Sequence, residues 1–127
     1  MLKSYKTVYF LPVLLWSVLI GYLSTSRQLP AIPLDYLSPD KLGHLLFYSI
    51  ESLLWIGAFA KSQSWKREHL FWVYLSLALA ASYGTLLEYI QASIPERSFD
   101  YADMLANFIG VLLAWLVYQK NKGFFID

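Results

Sequence analysis

Apolar residues run through this chain in four long blocks, Val8 to Leu23, Leu42 to Ala60, Leu70 to Ile90 and Met104 to Tyr118, each closed off by a polar break. A bilayer core about 30 Å thick takes roughly 20 helical residues, so the second and third blocks span it directly. The first and fourth reach that length once flanking residues, Tyr5 to Thr7 and Asp100 to Asp103, continue the helices into the interface. Backbone groups surrounded by lipid must bond within their own segment, which leaves the α-helix as the spanning form for runs of this length. The pattern therefore predicts an all-α, polytopic membrane protein: a four-transmembrane-helix bundle, with residues 1–127 as a single domain. A second reading of the first block is open. Lys3 and Lys6 before it and Ser24 to Ser26 after it also suit a cleaved signal peptide, although Trp16 and Tyr22 and the lack of an Ala-x-Ala site argue against one.

Composition strengthens the membrane reading. Apolar residues make up 57% of the 127 and charged residues 15%, and so small a soluble fold could not hide 8 Phe, 10 Tyr and 5 Trp. The lipid bilayer is the expected partner. A net charge of +1 gives no footprint for nucleic acid, and with no Cys there are no disulfides, thiolate nucleophiles or Cys-zinc sites. Lys3, Lys6, Lys61, Lys66, Arg67, Lys120 and Lys122 fall on one side of the predicted bundle, and Arg27, Lys41 and Arg97 on the other. Cytoplasmic loops carry the excess of Lys and Arg, so both termini and the loop Lys61 to His69 are expected inside, with Ser24 to Lys41 and Ala92 to Asp103 outside.

Three polar stripes run along the helices. Lys41, His44, Tyr48, Glu51 and Trp55 share one face of the second block, Ala81, Gly84, Glu88 and Gln91 one face of the third, and Asp103, Asn107, Gly110 and Ala114 one face of the fourth. Small residues at this spacing let helices approach closely in lipid, so the stripes are expected to face one another with their polar outer ends converging. Ionisable groups at membrane depth are costly unless paired or wetted, which marks His44, Glu51 and Glu88 as functional candidates. Each also has a structural reading. His44 can bond a neighbouring carboxylate, Glu88 can pair with Arg97, Asp100 and Asp103 can cap the fourth helix, Asn107 can tie helices together, and Lys41 and Arg97 can extend to the interface. Glu51, in mid-span, is expected to be neutral or hydrogen-bonded inside the bundle. Tyr5, Tyr9, Tyr22, Trp65, Trp72, Tyr101 and Tyr118 read as an aromatic belt, and Glu68 and His69 as a solvated loop.

Asp40-Lys41-Leu42-Gly43-His44 with Tyr48, then Glu88-Tyr89-Ile90-Gln91, Pro95-x-Arg97, Asp100-x-x-Asp103, Asn107 and Gly110, resembles the VanZ-like membrane proteins in order and spacing. Ser24 or Ser26 after the first block extends the resemblance over nearly the whole chain, whereas Glu51 lies outside the pattern. The resemblance implies a multi-pass protein of the bacterial cytoplasmic membrane, and the name-giving member is associated with resistance to the glycopeptide teicoplanin. It implies no reaction.

The residues themselves suggest an enzyme or binder acting at the outer leaflet on an anionic component, with a lipid-linked envelope precursor or a glycopeptide antibiotic as the partner. In it His44, Glu88 and Asp103 are the catalytic candidates, and Lys41, Arg97, Asp100, Asn107 and Gln91 hold the substrate. No cofactor is called for. A divalent cation among the carboxyls is compatible with the residues, but no His-x-x-x-His or Glu-x-x-His pair supports one. The alternative is a non-catalytic scaffold whose polar cluster only fastens helix ends. Proton or solute passage through His44 and Glu51 ranks last, because the cytoplasmic halves of the helices are so apolar.

Overall fold

The computed structural model describes residues 2–26, 39–62, 65–95 and 97–126. Their elements are a 3₁₀ segment over Leu2–Phe10, then α1 (Leu11–Thr25), α2 (Pro39–Ser62), α3 (Trp65–Ala92), α4 (Tyr101–Lys120) and the short α5 (Lys122–Ile126). Four helical stretches are long and apolar enough to cross a membrane: Lys6–Thr25, Asp40–Ser62, His69–Ala92 and Tyr101–Lys120. This is the all-helical, four-span architecture expected from the hydrophobic pattern. The change from 3₁₀ to α form in the first span coincides with Pro12 in the first turn of α1. Proline lacks an N–H and suits the first turn, where that donor has no intrahelical partner.

One link differs from expectation. Instead of a loop from Lys61 to His69, α2 runs to Ser62 and α3 starts at Trp65, so His69 is helical and the link is two residues long. Most of the outer segment expected between the first two spans, residues 27–38, lies outside the described residues.

α2 is the centre of the bundle and packs against α1, α3, α4 and the 3₁₀ segment. Its closest neighbour is α4. Gly110 permits this approach, because a Cβ there would strike the Leu45 carbonyl oxygen and lie 3.2 Å from the Ser49 amide nitrogen. Ser49 uses the proximity, its hydroxyl donating to Gly110 O and to Leu45 O, both at 2.8 Å. Gly84 performs the same service on α3, where a Cβ would sit 2.9 Å from the Tyr48 ring and 3.0 Å from Asn107 Nδ2. Both glycines lie on the stripes of small residues seen in the sequence.

Two apolar clusters fill the bundle. One joins Ile20, Tyr48, Ala80, Leu87 and Val111; the other joins Ile56, Val73 and Tyr118, flanked by Phe59, Trp72, Trp115 and Phe125. Tyr118 is therefore fully buried, in contrast to the interfacial position expected of it, because α5 folds back and sets Phe125 against its ring at 5.6 Å. Trp72 likewise stacks on Phe59 at 4.9 Å and belongs partly to this cluster. Outside, Leu14, Leu15 and Val18 on α1, Phe71 and Leu86 on α3, and Leu105 and Leu112 on α4 are exposed, while Glu51, Glu88, Asp103 and Asn107 are buried. Apolar outside and polar inside is the distribution that a lipid solvent selects.

Candidate polar site at one end of the bundle

The N-terminal end of α2, the C-terminal end of α3 and the N-terminal end of α4 meet at the same end of the bundle, and His44 lies at their junction. Its ring is buried and stacks over Tyr48, one helical turn along α2, with centroids 6.4 Å apart. On one side Nδ1 lies 2.8 Å from Asn107 Oδ1 and 3.8 Å from Glu88 Oε1. On the other, Nε2 lies 3.6 Å from Asp103 Oδ2 and 3.8 Å from Asp40 Oδ1. An amide oxygen only accepts, so Nδ1 carries the proton in the neutral ring and Nε2 keeps its lone pair. The 3.6 and 3.8 Å separations are too long for hydrogen bonds. Glu88 Oε2 and Asn107 Nδ2, both fully buried, have no hydrogen-bond partner among the described residues.

Around this centre, Lys41 Nζ lies 3.4 Å from both Asp100 Oδ2 and Asp103 Oδ1. These contacts are long and partly exposed, so each holds the ammonium only weakly. Asp100 is the N-cap of α4, its Oδ1 accepting from the Ala102 N–H at 2.8 Å. That bond and the nearby Lys41 ammonium hold its carboxyl below the usual aspartate range. Among the described residues the cluster thus contains four carboxyl groups, Asp40, Glu88, Asp100 and Asp103, with Lys41 as its cation.

Two of the expected ligand-holding residues stand apart from this centre. Arg97 donates from Nη1 to Ser24 O at 2.8 Å and from Nη2 to Ser26 O at 2.6 Å. Gln91 Nε2 donates to Ser24 O at 2.9 Å. Together they cap the C-terminal carbonyls of α1, where a cationic side chain also opposes the helix dipole. His44, Glu88, Asp103, Asn107, Lys41 and Asp100 gather at the centre, while Arg97 and Gln91 fasten the neighbouring helix to it. Asp40, not singled out as a site residue from the sequence, belongs at the centre. Its i, i+4 spacing to His44 was the available signal, since that step puts both side chains on one face.

Glu51 forms a separate polar point deeper in α2. Its Oε1 accepts from Ser17 Oγ at 2.7 Å and from Trp55 Nε1 at 3.0 Å, and its Oε2 is buried without a partner among the described residues. This is the hydrogen-bonded interior placement expected for a mid-span carboxyl.

A bundle of four apolar spans with its polar side chains turned inward and gathered at one end defines a multi-pass integral membrane protein. The chain belongs to the VanZ/LLP1 family, whose model matches residues 6–125. No curated protein and no solved structure matches it.

Proposed function

We propose that this protein binds and acts on an anionic component of the bacterial cell envelope at the extracytoplasmic face of the cytoplasmic membrane, with His44 as its proton-handling residue. The observation that supports this most is the state of the imidazole: buried, bonded through Nδ1 to Asn107, with Nε2 presented between two carboxylates that are too distant to bond it. A ring oriented at one nitrogen and available at the other is the arrangement a general acid–base residue needs. Asp103 and Glu88 flank the ring, one near each nitrogen. Lys41, shared by Asp100 and Asp103 through long contacts, is the cation placed to turn toward an anion. Arg97 and Gln91 serve by positioning α1. The extracytoplasmic assignment rests on the Lys and Arg asymmetry, with both termini cytoplasmic.

The alternative, a scaffold, draws support from the Lys41 bridges between α2 and α4 and from the Arg97 caps on α1. His44→Gln and Glu88→Gln separate the two readings, scored for teicoplanin susceptibility and envelope integrity with membrane abundance and thermal stability measured alongside. A proton-handling site loses the phenotype at near wild-type abundance, since glutamine keeps most of the packing. A scaffold loses about 3–5 kcal/mol when one partner of a buried charged set is removed, and its phenotype falls only with the amount of folded protein. Abundant mutants with full phenotype would refute the proposed role of both residues.

A further inference from the structure

We propose that Asp40, His44 and Asp103 form a binding site for a first-row divalent metal ion, with zinc the best match. The inference rests on the same site as the proposed function but not on the acid–base role given to His44.

Each of the three residues offers one ligand atom, and these atoms lie within 4.8 Å of one another. Nε2 of His44 is 3.6 Å from an Asp103 oxygen and 3.8 Å from an Asp40 oxygen. As direct contacts these are too long. They are close, however, to the roughly 3.4 Å edge between two donors of a tetrahedral ion with bonds of about 2.0–2.1 Å. Closing the set to that geometry requires the two carboxylates to move in toward each other, since the three ligand atoms span up to 4.8 Å. Asp40 and His44 stand at i and i+4 on α2, the one-face spacing used by paired metal ligands on a helix, and Asp103 completes the trio from α4.

The surroundings suit a metal. The 2.8 Å bond from Nδ1–H to Asn107 Oδ1 fixes the tautomer that leaves the Nε2 lone pair outward, the usual support of a metal-bound histidine. Glu88 adds a further carboxyl from the Nδ1 side of the ring, away from the three ligand atoms. It is 1% exposed, its Oε1 lies 3.8 Å from the same imidazole, and its Oε2 has no hydrogen-bond partner among the described residues. Lys41 is one cation among four carboxyl groups, so the described cluster is strongly acidic without a further one. Carboxylate and imidazole donors together suit zinc and its first-row neighbours.

The ion would also reconcile an acidic site with an anionic ligand. Asp40 has a 60% exposed side chain, so the trio lies at the surface of this end of the bundle on the Asp40 side. A divalent cation reverses the local field and can accept a phosphate or carboxylate oxygen there. With the ion in place Nε2 would be a ligand, so His44 would hold the metal and not handle the proton itself.

The test is zinc titration calorimetry on the full chain in lipid nanodiscs after chelator treatment, with cobalt(II) absorption as a second reading of ligand geometry. The expected result is one saturable ion per chain, weakened about 10-fold or more in Asp40→Asn, whose exposed position leaves the fold intact. Lys41→Gln should bind zinc more tightly than wild type, because the competing ammonium is removed from Asp103. Absence of saturable binding by the wild type, or equal binding by Asp40→Asn, overturns the proposal. If zinc does not bind while His44→Gln still abolishes the envelope phenotype, the metal falls and the acid–base reading stands. If zinc binds while His44→Gln leaves the phenotype intact, the metal stands and the acid–base reading falls.

Discussion

Replacing Gly110 with alanine should damage this bundle far more than one added methyl group suggests. The new Cβ would meet the Leu45 carbonyl oxygen and approach Ser49 N to 3.2 Å, and both are backbone atoms of a helix, with no flexible side chain to yield. Relief requires α2 and α4 to separate by roughly 1 Å, which forfeits a quarter to a half of the dispersion energy of the contacts along their seam. Overpacking of this kind costs about 1–3 kcal/mol, and the upper part of that range applies where the obstruction is rigid. The separation also stretches the Ser49 to Gly110 bond. It carries Asn107 and Asp103, on the same face of α4, away from His44 as well. Gly57 is the matched control, because a Cβ there meets nothing within 4 Å. Gly57→Ala should be neutral or stabilise by up to ~1 kcal/mol through helix propensity alone. Thermal unfolding of both variants in lipid nanodiscs, beside membrane abundance in cells, makes the comparison. A Gly110→Ala protein as stable as Gly57→Ala would show that α2 and α4 do not meet at this glycine.

Other outcomes follow from single contacts. Arg97→Ala removes the charged donors to Ser24 O and Ser26 O and should cost about 1.5–3 kcal/mol, with protease cleavage near residue 26 rising as α1 loosens. The Asp100 carboxyl is held below its ordinary value, so its contribution to stability is complete above about pH 4 and is lost as the pH falls through the lower folded value; Asp100→Asn should flatten that acid limb in a pH series of melting temperatures. A reporter fused after Asp127 should report a cytoplasmic location, and periplasmic activity would overturn the assigned orientation.

The spans were legible because lipid imposes one rule on every residue in contact with it, and hydropathy registers that rule directly. The start of α4 was legible too, since Asp100 caps it and the helix runs through the polar residues ahead of Met104 as expected. The start of α3 was less so, because the helix runs back to Trp65 through charged sequence that read as a loop. The centre of the site was legible through helical periodicity: His44, Glu88, Asp103 and Asn107 lie on inward stripes and therefore meet. Arg97 was not. Its partners are backbone carbonyls at the end of another helix, and any residue could have supplied those, so no pattern in the chain pairs 97 with 24 and 26. The interior, hydrogen-bonded placement of Glu51 was legible, but its nearest donor was not, Ser17 being an ordinary residue of an almost uniformly apolar helix. Tyr118 misled for a different reason, because residues that follow it fold back to cover it.

The manner in which α1 is fastened has a consequence for how the protein is made. Lipid tails are as apolar as leucine, so greasy surfaces alone give α1 little reason to prefer one rotation or depth. Its placement is specified by directional bonds: Trp16 to Phe47 O, Ser17 to Glu51, Tyr83 to Ser17 O, and Gln91 and Arg97 to the carbonyls at its end. Every one of those partners is synthesised later. The earliest made of the four spans therefore completes its set of bonds only after α3 is made, when the link beyond α3 emerges from the ribosome and delivers Arg97. Until that moment α1 is held only through its middle, by the bonds to Phe47, Glu51 and Tyr83, and its outer end waits for Gln91 and Arg97.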